Sequence, residues 1–154
     1  MADYSRALAR RVDEYLKSQN WNYEFNEDDG LFRFGMNLEN KMGSCRMVIL
    51  VGDELFTSYA ISPVSADADT MAQVANYLTR ANYGLKIGNF ELDCRDGEIR
   101  YKATLFCGET IPELHLVERV ADMPFRMMGH YGNGLLNVLF GNADPASEIA
   151  KIDD

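Results

Sequence analysis

Two histidines, three cysteines and one glycine-rich stretch are the residues of this 154-residue chain whose types most readily do chemistry. His115 and His130 are too far apart for the i,i+4 spacing that sets two zinc ligands on one helix face, and no cysteine lies near either. Both fall on polar stretches of predicted helix and are expected in solvent, without a metal. Cys45, Cys94 and Cys107 form an odd set with no CxxC pair, which reads as reduced thiols. Gly129-His130-Tyr131-Gly132-Asn133-Gly134 looks superficially like a phosphate loop, but it follows helix rather than strand and lacks the GxGxxG order. The plainer reading is that Gly132, on an apolar stripe, lets its helix approach the sheet closely. Glu27-Asp28-Asp29 lacks the calcium-loop arrangement and reads as a solvated turn. No nucleophile elbow or Walker lysine loop occurs, so no catalytic, cofactor-binding or metal residue is assigned. Met123 and Met127, at i,i+4, offer a soft, adaptable surface for a partner, whereas Met128 joins a core stripe.

The bulk composition narrows the partners. A net charge of −9 repels nucleic-acid phosphates and anionic membranes, and no Lys/Arg cluster offsets it. No stretch approaches the ~20 apolar residues of a membrane span and the start has no apolar leader segment, so a cytoplasmic protein is expected. One domain is predicted over residues 1–142, with 143–154 as a tail or short docked helix carrying Ile149 and Ile152.

The elements follow from periodicity. Tyr4, Leu8, Val12 and Tyr15 mark an amphipathic helix over Asp3–Gln19. Trp21, Tyr23 and Phe25 alternate as one strand, and Phe32, Phe34, Met36 and Leu38 as the next. Ser44–Val51 and Leu55–Ile61 flank the turn pair Gly52-Asp53, and Pro63 ends the run. Met71, Val74, Ala75, Leu78 and Ala81 stripe a second helix, with Asp67 or Asp69 as cap and Gly84 as its left-handed stop. Asp96-Gly97 predicts a two-residue hairpin that sets Cys94 opposite Ile99 and Leu92 opposite Tyr101. The same register pairs Arg95 with Glu98, Asp93 with Arg100 and Glu91 with Lys102. Thr110 and Glu113 suggest a capping box opening a last helix, which Pro124 is expected to kink or restart and Gly141 to end. This order, α-β(3-4)-α-β-β-α, predicts a two-layer α+β fold with an antiparallel sheet and helices on one face.

The hairpin Ser44–Ile61 is apolar on both faces, although a two-layer domain needs only one. Either Met47, Ile49, Val51 and Phe56 or Val48, Leu50, Leu55 and Tyr59 are surplus, and the surplus set is expected to meet a partner, a second subunit or the C-terminal tail.

The stretch Asn82-Tyr83-Gly84-Leu85-Lys86-Ile87-Gly88-Asn89-Phe90-Glu91-Leu92-Asp93, with Asp96-Gly97-Glu98-Ile99-Arg100-Tyr101 after it, resembles the YbjN-domain family of bacteria. Tyr131-Gly132, Leu135-Leu136 and Val138-Leu139-Phe140-Gly141 are similar to that family's C-terminal helix. The resemblance implies a sensory-transduction regulator with a fold like that of the type III secretion chaperones, which are acidic dimers binding extended client segments. It implies no catalytic residue. The function expected is therefore a non-enzymatic protein-binding module, acting as a homodimer, with Met47, Ile49, Val51, Phe56, Met123 and Met127 as partner surface. The alternatives are a small-molecule sensor with an apolar pocket between sheet and C-terminal helix, and an enzyme with an unrecognised site.

Overall fold

Ser5 starts the first helix: its Oγ accepts the Leu8 N–H at 3.1 Å, and α1 (Arg6–Ser18) follows, burying Leu8, Val12, Tyr15 and Leu16. The computed structural model describes residues 3–153. After α1 come β1 (Glu24–Asn26), β2 (Leu31–Asn37), β3 (Ser44–Val51), β4 (Leu55–Ile61) and α2 (Met71–Asn82). Then β5 (Asn89–Leu92), β6 (Ile99–Phe106), α3 (Leu114–Phe140) and α4 (Pro145–Asp153) complete the chain. The strands form one antiparallel sheet in the order β1-β2-β3-β4-β6-β5. α3 crosses β3, β4 and β6, with α1 and α2 packed beside it and α4 against α2 and α3. The predicted two-layer α+β architecture is the one observed.

Five local expectations change. The strand read over Trp21–Phe25 pairs only at Glu24–Asn26. Trp21 leaves the ladder to stack on Phe34 (5.6 Å between centroids) and to meet Tyr15 and Phe125 edge-on, while the Tyr23 hydroxyl donates to Asp13 on α1. The side chains of this segment bind the helical layer more effectively than its backbone could extend the sheet.

The β5–β6 register is two residues off the expected one. Leu92 pairs with Ile99 and Glu91 with Arg100, and Cys94 to Gly97 form the turn, closed by the Gly97 N–H on the Asp93 carbonyl at 2.7 Å. Gly97 has φ +81°, and any Cβ there would strike the Ala66 carbonyl oxygen, whose residue donates its N–H to Gly97 at 2.9 Å. A two-residue slip keeps every side chain on its face, so the charge pattern could not exclude it. Glu91 meets both Arg100 (2.8 Å) and Lys102 (3.0 Å), and Asp93 meets Arg95 in the turn.

Thr110 and Glu113 make no capping box: α3 begins at Leu114 with Glu113 as an N-cap that has no side-chain bond. Nor does Pro124 divide the helix, which runs unbroken for 27 residues. Proline removes the N–H that would bond the carbonyl four residues earlier. The buried Ser58 hydroxyl stands at this point and donates to the neighbouring Ala121 carbonyl at 2.8 Å.

Gly132 does not face the sheet. A Cβ there would meet Asn40, whose amide donates to the carbonyls of Met128 (3.2 Å) and Gly129 (3.0 Å). The glycine fits the β2–β3 loop onto α3 rather than α3 onto the strands.

Candidate binding face

Pleating decides which hairpin face is covered. Met47, Ile49, Val51 and Phe56 all point beneath the helices, each no more than 2% exposed, in line with Phe32, Ile99 and Tyr101. These four were expected to meet a partner; they are core, and that expectation is corrected. Both faces of this hairpin are apolar, so alternation alone could not choose between them. The flanking strands settle it, because β2 and β6 each have one wet face. The rival set, Val48, Leu50, Leu55 and Tyr59, faces away from the helices. The C-terminal segment does not cover it: α4 packs on α2 and α3, in the helical layer.

The registers lay this open face out in rows. At one end Leu55 pairs with Phe106, followed by the row Leu31, Leu50, Thr57 and Thr104, whose two threonine hydroxyls lie 3.0 Å apart. Leu50 is 41% exposed and Phe106 67%. The next row reads Glu24, Arg33, Val48, Tyr59, Lys102 and Asn89; the one after reads Gly35, Arg46, Ile61, Arg100 and Glu91. An apolar end thus adjoins a basic end, on a chain whose total charge is −9. Among these strand residues Arg33, Arg46, Arg100 and Lys102 oppose only Glu24 and Glu91.

The four cations are not equivalent. Arg100 and Lys102 are engaged by Glu91, and the Arg100 guanidinium also covers the Tyr59 ring at 4.5 Å. Partial burial pushes the Glu91 carboxyl up, but its bonds to Lys102 and Arg100 outweigh this and hold it below the usual range. Arg33 and Arg46 are exposed and form no ion pair among the described residues. They border a groove of about 430 Å³ that also involves Asn22, Tyr23, Glu24 and Val48 and opens over Gly35, beside which a Cβ would meet nothing within 4 Å.

Met123 and Met127 lie half-buried on α3, in the other layer, and do not join this face. Met123 borders a separate groove of about 320 Å³ with His115, Glu118, Arg119 and Arg126. Arg33 and Arg46 are the residues that sequence reasoning passed over. Their signal was present: each interrupts an apolar alternation on the face opposite Phe32, Phe34 and Met47.

Elsewhere the reactive types are separate. Burial pushes the Cys45 thiol up to about 12, and Cys94 and Cys107 are also free. His115 approaches Glu113 at 3.2 Å and His130 packs edge-on to Tyr131 at 4.8 Å. Among the described residues, no group of three or more His, Cys, Asp or Glu side chains is placed to hold a metal, and no helix is long and apolar enough to cross a membrane. Asp122 is the one buried carboxylate of α3's first half. Burial raises its pKa, against the Tyr15 hydroxyl, which donates to it at 2.7 Å, and Arg126 at 3.6 Å. No protein-family profile matches the chain, and no curated protein matches it.

Proposed function

We propose that this chain is a non-enzymatic protein-binding module whose working surface is the open face of its sheet. One observation carries this reading. The helices cover one face only, and on the other Leu31, Val48, Leu50, Leu55, Tyr59, Ile61 and Phe106 run together across four strands with Leu50 and Phe106 well exposed. A connected apolar patch of this kind, rimmed by polar residues, is the usual mark of an interaction site. Singly scattered surface hydrophobes would carry no such meaning. Between sheet and α3, Tyr101, Ile49, Phe56, Met128 and Leu135 are fully buried, and the groove of about 420 Å³ at that boundary lies at its edge, beside Leu38, Glu39 and Phe125. The resemblance of Asn82–Tyr101 to the YbjN-domain family supports the same reading, as a regulatory or chaperone-like binder in the bacterial cytoplasm.

The test places a photo-crosslinking side chain at Leu50 or Phe106 and, as a control, at the exposed Asn133 on α3. The expected result is one defined protein adduct in host cells from the sheet positions only. Equal adduct patterns from all three positions would sink the proposal.

A further inference from the structure

We infer that the Arg33/Arg46 groove is a carboxylate-reading subsite, which seats an acidic side chain of an extended partner segment whose apolar residues lie on Leu31, Leu50 and Phe106. This rests on the open face being the binding surface, and it names the chemistry of what binds there.

Three independent features converge. First, the two guanidinium groups stand on adjacent strands, diagonal to each other in the ladder, because Arg33 pairs with Val48 and Gly35 with Arg46. Neither forms an ion pair among the described residues, although Glu24 stands across from Arg33 in the ladder and acidic residues outnumber basic ones 24 to 15 over the chain. A planar guanidinium matches a carboxylate through two parallel N–H donors, a geometry that lysine cannot supply. Second, Gly35 leaves a gap between the two arginines on the open face. Its φ is not in the left-handed region and its Cβ position is empty, so neither backbone nor packing demands glycine there. A bulkier residue would simply close the groove.

Third, the sheet edge at this point offers a free backbone. The Val51 N–H bonds the Gly30 carbonyl (2.9 Å) and the Leu38 N–H the Gly43 carbonyl (2.8 Å), so even-numbered residues of β2 bond towards β3. The odd-numbered ones point the other way, to β1, which pairs only with Leu31–Arg33. Gly35 and Asn37 therefore present their N–H and C=O groups along the edge beyond the end of β1. The residue of the partner segment that enters the groove can bond these groups at the edge, before the segment crosses the open face towards Leu50 and Phe106.

The charge of the site selects among occupants. A second copy meeting this face with its own would set Arg33 and Arg46 against the same two cations. A nucleic-acid strand would bring phosphates over a chain of net charge −9 with room for contact at only two unpaired arginines. An acidic, aliphatic peptide satisfies both the basic and the apolar rows.

The experiment titrates the full chain with a fluorescein-labelled peptide alternating Glu and Leu, read by anisotropy. Parallel titrations use the same peptide with Gln for Glu and a single-stranded oligonucleotide. The Glu peptide is expected to bind, with affinity falling as salt rises, and the Gln peptide to bind about tenfold or more weakly. R33Q/R46Q should lose a similar factor, and Gly35→Val, which fills the groove while retaining both arginines, should weaken binding too; circular dichroism verifies folding. Absence of Glu-peptide binding, equal binding of the Gln peptide, or tighter binding of the oligonucleotide overturns the inference. So does light scattering that shows a dimer lost in R33Q/R46Q, which would make a second copy the occupant. If R33Q/R46Q keeps the photo-crosslinked partner while Leu50→Asp loses it, the carboxylate subsite is wrong and the binding face stands.

Discussion

The hydroxyl of Tyr77 on α2 donates to the main-chain carbonyl of Tyr131 on α3 at 2.7 Å, and it reaches that carbonyl through the space left by Gly134. A Cβ on Gly134 would lie 2.4 Å from the Tyr77 oxygen. Tyr77 is itself fully buried, so the ring has nowhere to retreat. Glycine in mid-helix is the condition for this α2–α3 contact.

Gly134→Ala is therefore expected to destabilise the fold by about 1–3 kcal/mol, because overpacking outweighs alanine's better helix propensity. Gly129→Ala, on the same helix with nothing within 4 Å of its Cβ position, should stabilise by about 0.5–1 kcal/mol. Urea denaturation of the two variants should give shifts of opposite sign.

Neighbouring positions on β3 should respond in opposite ways to the same change. Ile49→Lys places an unpaired charge in the core and should cost more than about 4 kcal/mol, whereas Leu50→Lys on the open face should change stability by no more than about 0.5 kcal/mol. Thermal melts of both variants at one concentration read the difference.

Asn82 holds the outer edge of the sheet. Its amide nitrogen donates to the Phe90 carbonyl (3.1 Å) and its oxygen accepts the Phe90 N–H (2.7 Å), as a further strand would. Asn82→Ala should cost about 1–3 kcal/mol by leaving the partly buried Phe90 N–H unpaired, while the Asn89 amide still donates to the Phe90 carbonyl at 3.1 Å. Native-state hydrogen exchange should show loss of protection at the Phe90 amide, with the Tyr101 amide far less affected.

Asp122 makes stability depend on pH. Burial raises its pKa in the folded state, so the folded chain holds this proton more tightly than the unfolded chain. Its contribution is fully present below the ordinary aspartate range and is lost as pH rises through the raised value. Asp122→Asn keeps an acceptor for Tyr15 and removes that loss. The variant should gain on the wild type as pH rises from the acid side of that range to neutrality, and denaturant midpoints at the two ends test this.

The elements that sequence revealed were those with a single apolar face. Helix α1 and strand β2 were legible because Leu8/Val12/Tyr15 and Phe32/Phe34 leave polar residues on the other side. β3 and β4 were legible as strands, with the bounds observed, but not in which face they bury, since Met47/Ile49 and Val48/Leu50 compete equally until neighbouring strands break the tie. The Asp96-Gly97 turn misled because it fits two registers that share one face pattern, and the contact with Ala66 that selects between them is distant in sequence. The arginine groove depends on where β1 ends, which the tertiary pull of Trp21 and Tyr23 determines.

The Asn82 clamp also limits how copies of this chain can join by strand pairing. Addition of strands in an endless series requires two usable edges on each molecule, one to receive and one to offer. Here the β5 side has its central outward pair already occupied by Asn82, while the β1 side, with the Gly35–Asn37 stretch beyond it, is free. Two copies meeting edge to edge through the free side would consume that template on each, leaving among the described residues only the β5 side, where Asn82 occupies Phe90. Such growth ends at a closed pair, and a sheet with an open face is thereby kept from seeding a fibre.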